Sequence, residues 1–246
     1  MTTTEAAPLA PLAFAGRLRV HLEKIRVATQ VRLAHLERLG QRDALSEELL
    51  PKLEALEELV ESRIEDACKA HPVYAWVERV KGAGAMSVGA IMARADITRL
   101  NTVSSMWAHF GFAPGQKRVK GEKVAFDVTG KTWCWRLGDS LLKRSGTKFR
   151  AVYDRRKEYE QARYAAQGIR IIPATRTKKE GEVYEGQVHM RAMRYMIKTF
   201  LACLWKQWRE AEGLPVAPPY IIGRVDANGK QHSTEYLPEE FCDRPA

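Results

Sequence analysis

The sequence predicts a mainly α-helical protein, and two observations carry the prediction. Hydrophobic residues make up 45% of the 246-residue chain and charged residues 28%, which is the balance of an ordinary globular protein rather than of a disordered or membrane chain. Apolar residues recur at helical spacing over much of the chain. We therefore expect an N-terminal antiparallel helical hairpin or coiled coil, followed by a helical domain that contains a helix-hairpin-helix.

The first predicted helix spans 16–40 and follows a leader at 1–15 that is rich in proline and alanine and that we expect to be disordered. A second helix is predicted from Ser46, a suitable N-cap, to about residue 70. Pro51 then lies close to its first turn, where proline is tolerated. The two apolar stripes are Leu18, Leu22, Ile25, Ala28, Val31, Leu36 and Leu39 in the first helix, and Leu49, Leu53, Leu56, Val60, Ile64 and Ala67 in the second.

These two helices carry opposite charge, the first basic and the second acidic, and a short connection joins them. Opposite charges beside an apolar seam favour pairing between antiparallel helices. Residues 16–70 are therefore predicted to form a helical hairpin. The same segment could serve as an arm that binds a second copy of the chain or another protein.

Residues 71–212 are predicted to form the main helical domain, with an insertion at 160–186 whose part from 168 to 186 looks like a mobile loop. Two small β elements are also expected. One lies near 115–130, where Val124 to Thr129 favours a strand, and the other in a proline-rich extension at 213–246, where Asn228-Gly229 favours a hairpin turn. The predicted helices are 73–79, 85–95, 103–110, 133–143, 148–166 and 187–211.

The net charge of +10 is unevenly distributed along the chain. Residues 1–70 hold 10 Lys or Arg against 12 Asp or Glu, whereas residues 71–246 hold 30 against 18. The second part therefore has a net charge of +12. Clustered positive charge attracts phosphate backbones through counterion release, which points to a nucleic-acid partner for this part.

Several classes of protein are disfavoured by the motifs. Four cysteines without a C-x-x-C pair and six scattered histidines predict neither a disulfide framework nor a metal site, and no Walker motif or G-x-S-x-G elbow is present. The sequence shows no export signal and no 18-residue apolar run. We expect a cytoplasmic, nucleoid-associated protein without a cofactor, metal or membrane span.

The sharpest local motif runs from Val80 to Val88 and has the h-x-G-h-G form of a helix-hairpin-helix. Gly82 and Gly84 would let the backbone approach a phosphate, and the N–H groups that start the next helix would bind it. The plainer interpretation is a tight turn between two helices. Lys81 within the motif and the basic segment that follows favour phosphate binding, and replacing both glycines by valine is expected to abolish binding without unfolding the helices.

A second motif is the density of cations between Lys117 and Lys157, where aromatic residues are interleaved with thirteen Lys and Arg. Cations can neutralise phosphates while aromatic rings stack on exposed bases. The alternative is a solvated helix face above core aromatics, which is the more frequent role for Trp133 and Trp135.

Four segments in order resemble the C-terminal domain of DEDD-type insertion-sequence transposases and Piv-type DNA invertases. They are VKGAGAMSVGAIMARADITRL, SSMWAHFGFAPGQKRVKG, WRLGDSLLKRSG and RAMRYMIKTFLACLW, and the resemblance covers 72–210. It implies a helix-hairpin-helix DNA-binding domain. In that family an N-terminal RNase H-like domain supplies acidic residues, and a nucleophilic serine follows a G-L-x-P turn.

This chain departs from the family twice. Its first 70 residues are similar to the family's coiled coil but are too short and too helical for an RNase H-like domain. After the turn at Gly111 to Pro114, where the serine is expected, residues 115–121 contain no hydroxyl. Phosphodiester attack needs a nucleophile and a group to activate it, so catalysis by this chain alone is not expected.

The sequence therefore predicts a non-catalytic, transposase-related DNA-binding protein that contacts the backbone with little sequence specificity. One alternative is an active or accessory transposase or recombinase that uses a displaced serine, and a second is a module that binds structured RNA. The displaced serine would be Ser104, Ser105, Ser140 or Ser145. The predicted backbone contacts are Lys81, Gly82, Gly84, Lys117, Arg118, Lys120, Lys123, Arg136, Lys143 and Arg144.

Overall fold

A computed structural model describes residues 9–117, 119–217 and 237–245. Within these ranges the chain forms eight α-helices, one two-stranded sheet and a short 3-10 helix. The prediction of a mainly α fold is confirmed. None of the described helices is both long enough and apolar enough to cross a membrane.

The observed helices match the predicted ones in number and order, and α7 has the predicted bounds. In chain order the elements are α1 (Leu9–Arg38), α2 (Ala44–Ala70), α3 (Tyr74–Val77), α4 (Ala85–Met92), α5 (Val103–His109), α6 (Val128–Leu142), α7 (Lys148–Ala166), β1 (Arg170–Ile172), β2 (Glu182–Tyr184), α8 (Glu185–Ala211) and the 3-10 helix Pro238–Phe241.

Helices α1 and α2 form an antiparallel hairpin. As the residue number rises along α1, the number of its partner on α2 falls: Arg19 bonds Glu61, and Arg26 bonds Glu57. Glu57 is only 6% exposed, and this buried carboxylate pairs with two arginines, the buried Arg19 and the partly buried Arg26. A buried carboxylate needs such partners because its desolvation is costly. The pairing of a basic and an acidic helix therefore follows the charge pattern in the sequence.

Three local expectations for this hairpin were wrong. Of the leader predicted at 1–15, residues 9–15 belong to α1 and are not disordered, and residues 1–8 lie outside the described residues. Asp43, rather than Ser46, caps α2, because its carboxylate accepts from the Ser46 backbone N–H and hydroxyl. The helix consequently begins at Ala44, and Pro51 lies about two turns inside it, on the exposed side.

The core of the second part is built around α8. Phe200, Leu204 and Trp205 on this helix are fully buried, and α5, α6 and α7 pack against it. The indole N–H of Trp205 donates to the Leu100 carbonyl at 2.7 Å. Each large apolar side chain removed from water stabilises the fold by about 1.5 to 3 kcal/mol. Helix α8 therefore provides the fixed frame on which the surrounding helices are placed.

Helix α4 joins the two parts of the molecule. Its residues Val88 and Ile91 are completely buried, and the helix packs against α2 on one side and α6 on the other. Only the start of α4 reaches the surface. The turn before this helix is therefore held rigidly, since the helix that follows it is part of the core.

One of the two predicted β elements, that near 115–130, was misplaced. Residues 124–127 form no strand, because the Asp127 carboxylate accepts from the Thr129 N–H and caps α6 at this point. Instead β1 and β2 pair in parallel within 168–186, the stretch predicted to be a mobile loop. The predicted turn at Asn228-Gly229 lies outside the described residues.

Candidate nucleic-acid interface

The predicted helix-hairpin-helix is formed by α3, α4 and the turn between them. Gly82 in this turn has a φ of +97°, a conformation that glycine adopts without strain. Gly84 is the N-cap of α4 and lies in extended backbone with a φ of −79°. No side chain caps the helix.

The start of α4 leaves backbone donors without hydrogen-bond partners. Among the described residues, the N–H groups of Ala85, Met86 and Ser87 have no hydrogen-bond acceptor, and the first bond of the helix runs from Val88 N to Gly84 O. Such N–H groups, with the positive end of the helix dipole behind them, bind anions. The geometry required for a phosphate contact is therefore present at this turn.

The two glycines have different roles. A Cβ at Gly82 would lie 3.1 Å from the Ser140 carbonyl oxygen and 3.2 Å from the Leu141 Cα, so this glycine lets the turn pack on α6. A Cβ at Gly84 would meet nothing within 4 Å. The expectation that both could be replaced without harm to the fold is therefore wrong for Gly82, and Gly84 alone is free to contact a ligand.

An anion from the chain itself already binds beside this turn. One Asp243 carboxylate oxygen accepts from the Lys81 N–H at 2.9 Å, and the other accepts from the N–H of Lys148, the first residue of α7, at 2.8 Å. The Arg79 carbonyl in turn accepts from the Asp243 N–H. Sequence reasoning missed this contact, because Asp243 lies in the proline-rich extension and 162 residues from Lys81.

Removing this carboxylate tests whether it competes with a ligand. Asp243→Ala is expected to raise affinity for duplex DNA about fivefold, because about 1 kcal/mol of charge repulsion is removed. The loss of two bonds to backbone N–H groups should lower the free energy of unfolding by about 1 to 2 kcal/mol. Fluorescence anisotropy and urea titration measure the two effects.

Glu65→Ala is the matched control, since Glu65 is an exposed carboxylate on α2 that pairs with Lys69. It changes the net charge equally but lies away from the turn, and its DNA affinity should stay within about twofold of wild type. Equal affinity of Asp243→Ala and Glu65→Ala would show that the carboxylate does not compete.

A cleft of about 310 Å³ surrounds the turn. It brings together four predicted site residues, Lys81, Gly82, Gly84 and Arg144. Lys81 and Arg144 are exposed, and among the described residues their charged side-chain groups form no ion pair. Arg244 and Glu78 also line the cleft, which therefore holds three cations, one carboxylate and, at Ala85, one of the unbonded backbone N–H groups. Cations and backbone donors of this kind bind phosphate.

The other predicted contacts lie elsewhere or are already occupied. Arg136 pairs with Glu23 of α1 at 3.0 Å and lies over the Trp133 ring, while Lys143 pairs with Asp139 at 2.6 Å. Trp133 is buried, in agreement with its core interpretation. The loop residues Lys117, Lys120 and Lys123 are exposed but do not line the cleft, and Arg118 lies outside the described residues.

Two of the aspartates in this part of the chain, Asp127 and Asp154, are paired with arginines. Asp127 binds Arg94 through both oxygens, and Asp154 binds Arg150. In the described ranges no three His, Cys, Asp or Glu residues come together in a way that could hold a metal ion. Of the serines considered for catalysis, Ser105 belongs to the capping box of α5 and Ser140 donates to the Gly82 carbonyl.

Sequence reasoning also missed a group of half-buried cations on α6 and α8. Burial, together with the neighbouring charges of Arg194 and Arg156, lowers the pKa of Lys198 to about 8. Burial and Arg194 also lower the pKa of Lys131. In the sequence these residues looked like the polar face of an amphipathic helix, which gives no sign of burial.

Lys198→Met is expected to raise the free energy of unfolding at pH 7 by up to about 1 kcal/mol, because screening reduces the full effect. The folded-state pKa of about 8 lies below the ordinary 10.5, so the charged form is disfavoured below pH 8. This cost disappears as the pH rises from 8 to 10.5. Urea titrations across that range should therefore show the difference between wild type and variant shrinking, and a constant difference would contradict the expected pKa.

Comparisons with protein-family models, with curated proteins and with solved structures found no match for this chain. The functional conclusion therefore rests on the geometry of the cleft and the charges around it.

Proposed function

We propose that this protein binds the phosphate backbone of duplex DNA in the cleft around Gly84, largely without sequence specificity. One observation carries the proposal: free N–H groups at the start of α4 lie beside Lys81 and Arg144, at a turn whose neighbouring amide already holds a carboxylate. Backbone donors and cations recognise phosphate oxygens and do not read base edges.

The charge distribution supports a polyanionic partner. Residues 71–246 carry a net charge of +12, and the charged groups of Lys81 and Arg144 form no ion pair within the described chain. Each phosphate contact releases condensed counterions, so four contacts would weaken binding on the order of 100-fold between 50 and 200 mM salt. The proposal therefore predicts strongly salt-dependent binding.

We propose that the chain is related to insertion-sequence transposases but does not carry out their strand-transfer reaction by itself. Gln116 lies within 115–121, the segment in which the resemblance expects a nucleophilic serine, and its side chain holds the preceding turn. Its amide oxygen accepts from the Ala113 N–H at 3.1 Å, and its amide nitrogen donates to the Ala108 carbonyl at 3.0 Å. A side chain committed to the fold supports a binding role rather than strand transfer by this chain alone.

We also propose that the α1–α2 hairpin binds a second copy of the chain or another protein. In the half of the hairpin that holds the end of α1 and the start of α2, apolar side chains are exposed to water. Val31 of α1 is 64% exposed, and Leu49 and Leu56 of α2 are exposed as well. Exposed apolar residues on paired helices favour association into larger bundles. Sedimentation of the whole protein with and without DNA measures this association.

An electrophoretic shift of duplex DNA and of structured RNA across a salt series, with magnesium present, tests the proposed function. Salt-sensitive binding of duplex without nicking is the expected result. Nicking that disappears when Ser104, Ser105, Ser140 and Ser145 become alanine would replace the proposal with an enzyme. Preference for structured RNA would move the function to RNA binding, and no binding of either polymer would overturn it.

A further inference from the structure

Three cations from two helices gather over aromatic rings, away from the cleft at α4. Lys131 Nζ of α6 lies 5.8 Å from the ring centre of Phe112, and Arg194 Cζ of α8 lies 5.4 Å from the same centre. Lys198, one turn further along α8, has its Nζ 3.9 Å from the ring centre of Trp107. We call Lys131, Arg194 and Lys198 the cation cluster.

The cluster is held in place by backbone contacts. An Arg194 guanidinium nitrogen donates to the Ala113 carbonyl at 3.0 Å, and the Trp107 indole N–H donates to the Lys198 carbonyl at 3.0 Å. Phe112 is fully buried and Trp107 nearly so. The Arg194 guanidinium and the Lys198 backbone are therefore tied to the core, and the Lys131 and Lys198 ammonium groups lie over core rings.

No carboxylate neutralises this cluster. Within the described part of the chain, none of its three cations forms an ion pair. The acidic groups of the adjoining elements have other partners: Asp127 binds Arg94, and the buried Glu160 binds Arg156 and Arg163. Three half-buried positive charges thus remain uncompensated.

Uncompensated charge at such a position is costly for the fold. Burial lowers the pKa of all three groups, and Arg194 lowers the pKa of both lysines because its charge is nearby. An apolar side chain at either lysine would pack on the same rings without this cost. Retaining cations at a cost in stability is typical of sites that bind an anion.

We propose that the cation cluster is a binding site for a phosphate group. The planar guanidinium of Arg194 can donate two parallel hydrogen bonds to a phosphate, and the two ammonium groups can neutralise its remaining charge. Because the site is half-buried, each contact is stronger than at an exposed surface. The cluster shares no residue with the α4 cleft, although α6 contributes to both, so the site goes beyond the proposed function and does not depend on it.

The phosphate has two sources that share this chemistry, inorganic phosphate and the phosphate of a nucleic-acid strand. Thermal unfolding of the whole protein at constant ionic strength distinguishes them. The probes are sodium phosphate against sodium chloride, and a short single-stranded oligonucleotide with and without a 5′-phosphate. A ligand at 100 times its dissociation constant should raise the melting temperature by about 5 °C or more.

The test variant is Lys131→Met with Lys198→Met, which keeps the apolar stems on their rings and removes two charges. Its matched control is Lys52→Met with Lys69→Met, which removes the same charge from exposed α2 positions. Without ligand the test variant should melt at or above the wild-type temperature. A purely structural role for the two lysines would instead lower it.

Two results support the site. In one, inorganic phosphate stabilises the wild type and the control but not the test variant. In the other, the 5′-phosphorylated strand, and not the unphosphorylated strand, stabilises the wild type and the control but not the test variant. The first assigns a free anion and the second a strand phosphate. An equal response of all three proteins would place the phosphate elsewhere and overturn the site. A wild type that responds to neither probe would overturn it as well, whatever its behaviour toward duplex DNA.

Discussion

Gly84→Val is expected to weaken duplex DNA binding at least about tenfold while the protein stays folded. The valine side chain would stand over the free N–H groups at the start of α4 and keep a phosphate from reaching them. Losing hydrogen bonds to a charged group costs about 1.5 to 3 kcal/mol, which corresponds to at least a tenfold change. Anisotropy titrations at 50 mM salt measure this loss.

The fold should tolerate the change, because Gly84 has extended backbone with open space at its Cβ position. We expect the free energy of unfolding to stay within about 1 kcal/mol of wild type. Gly186→Val is the matched control, since Gly186 lies at the start of α8 and also has nothing within 4 Å of a Cβ. If both variants bind duplex as wild type does, the turn before α4 does not contact the backbone.

Gly82→Val should produce the largest loss of stability, about 3 kcal/mol or more in the free energy of unfolding. A β-branched residue at a φ of +97° costs about 1 to 3 kcal/mol. Overpacking against the α6 backbone, which lies 3.1 to 3.2 Å from the new Cβ, adds about 1 to 3 kcal/mol. Urea titration followed by circular dichroism measures the sum.

Gly146→Val separates the two causes. Gly146 has a φ of +75° but nothing within 4 Å of a Cβ, so this variant shares the backbone strain without the contact. Gly82→Val should therefore be the less stable of the two by about 1 to 3 kcal/mol. Equal stabilities would mean that the turn does not pack on α6 as closely as the structure has it.

Much of the fold followed from periodicity. Helix α7 has its predicted bounds because Thr147, a good N-cap, comes directly before it. The start of α1 was missed because Pro11 suggested an irregular leader, yet proline is tolerated in a first turn. The start of α6 was missed because β-branched residues beside Gly130 favoured a strand, whereas the Asp127 cap determines a helix.

The site was predictable only where its parts are adjacent in sequence. The spacing of Gly82 and Gly84 predicts the turn, and Lys81 lies within the same motif. The sequence could not separate the packing role of Gly82 from the open position of Gly84, because that difference depends on the distance to α6. Asp243 was not predictable, since its contact with Lys81 joins the two ends of the domain.

The cation cluster was hidden for a related reason. Lys131 and Lys198 lie 67 positions apart and are each ordinary for a helix surface. What distinguishes them is their position over Phe112 and Trp107 and the absence of a carboxylate partner in the described ranges. Whether a carboxylate lies next to a cation depends on the folded arrangement, so a local sequence pattern does not predict it.

Backbone amide chemical shifts during titration with a duplex of about 15 base pairs at 50 mM salt test the central claim most directly. The amides of Ala85, Met86 and Ser87 should shift progressively as duplex is added, while that of Gly186 at the start of α8 stays unchanged. Duplex that saturates the protein without moving the three α4 amides would contradict the account, because the backbone would then be held by another surface.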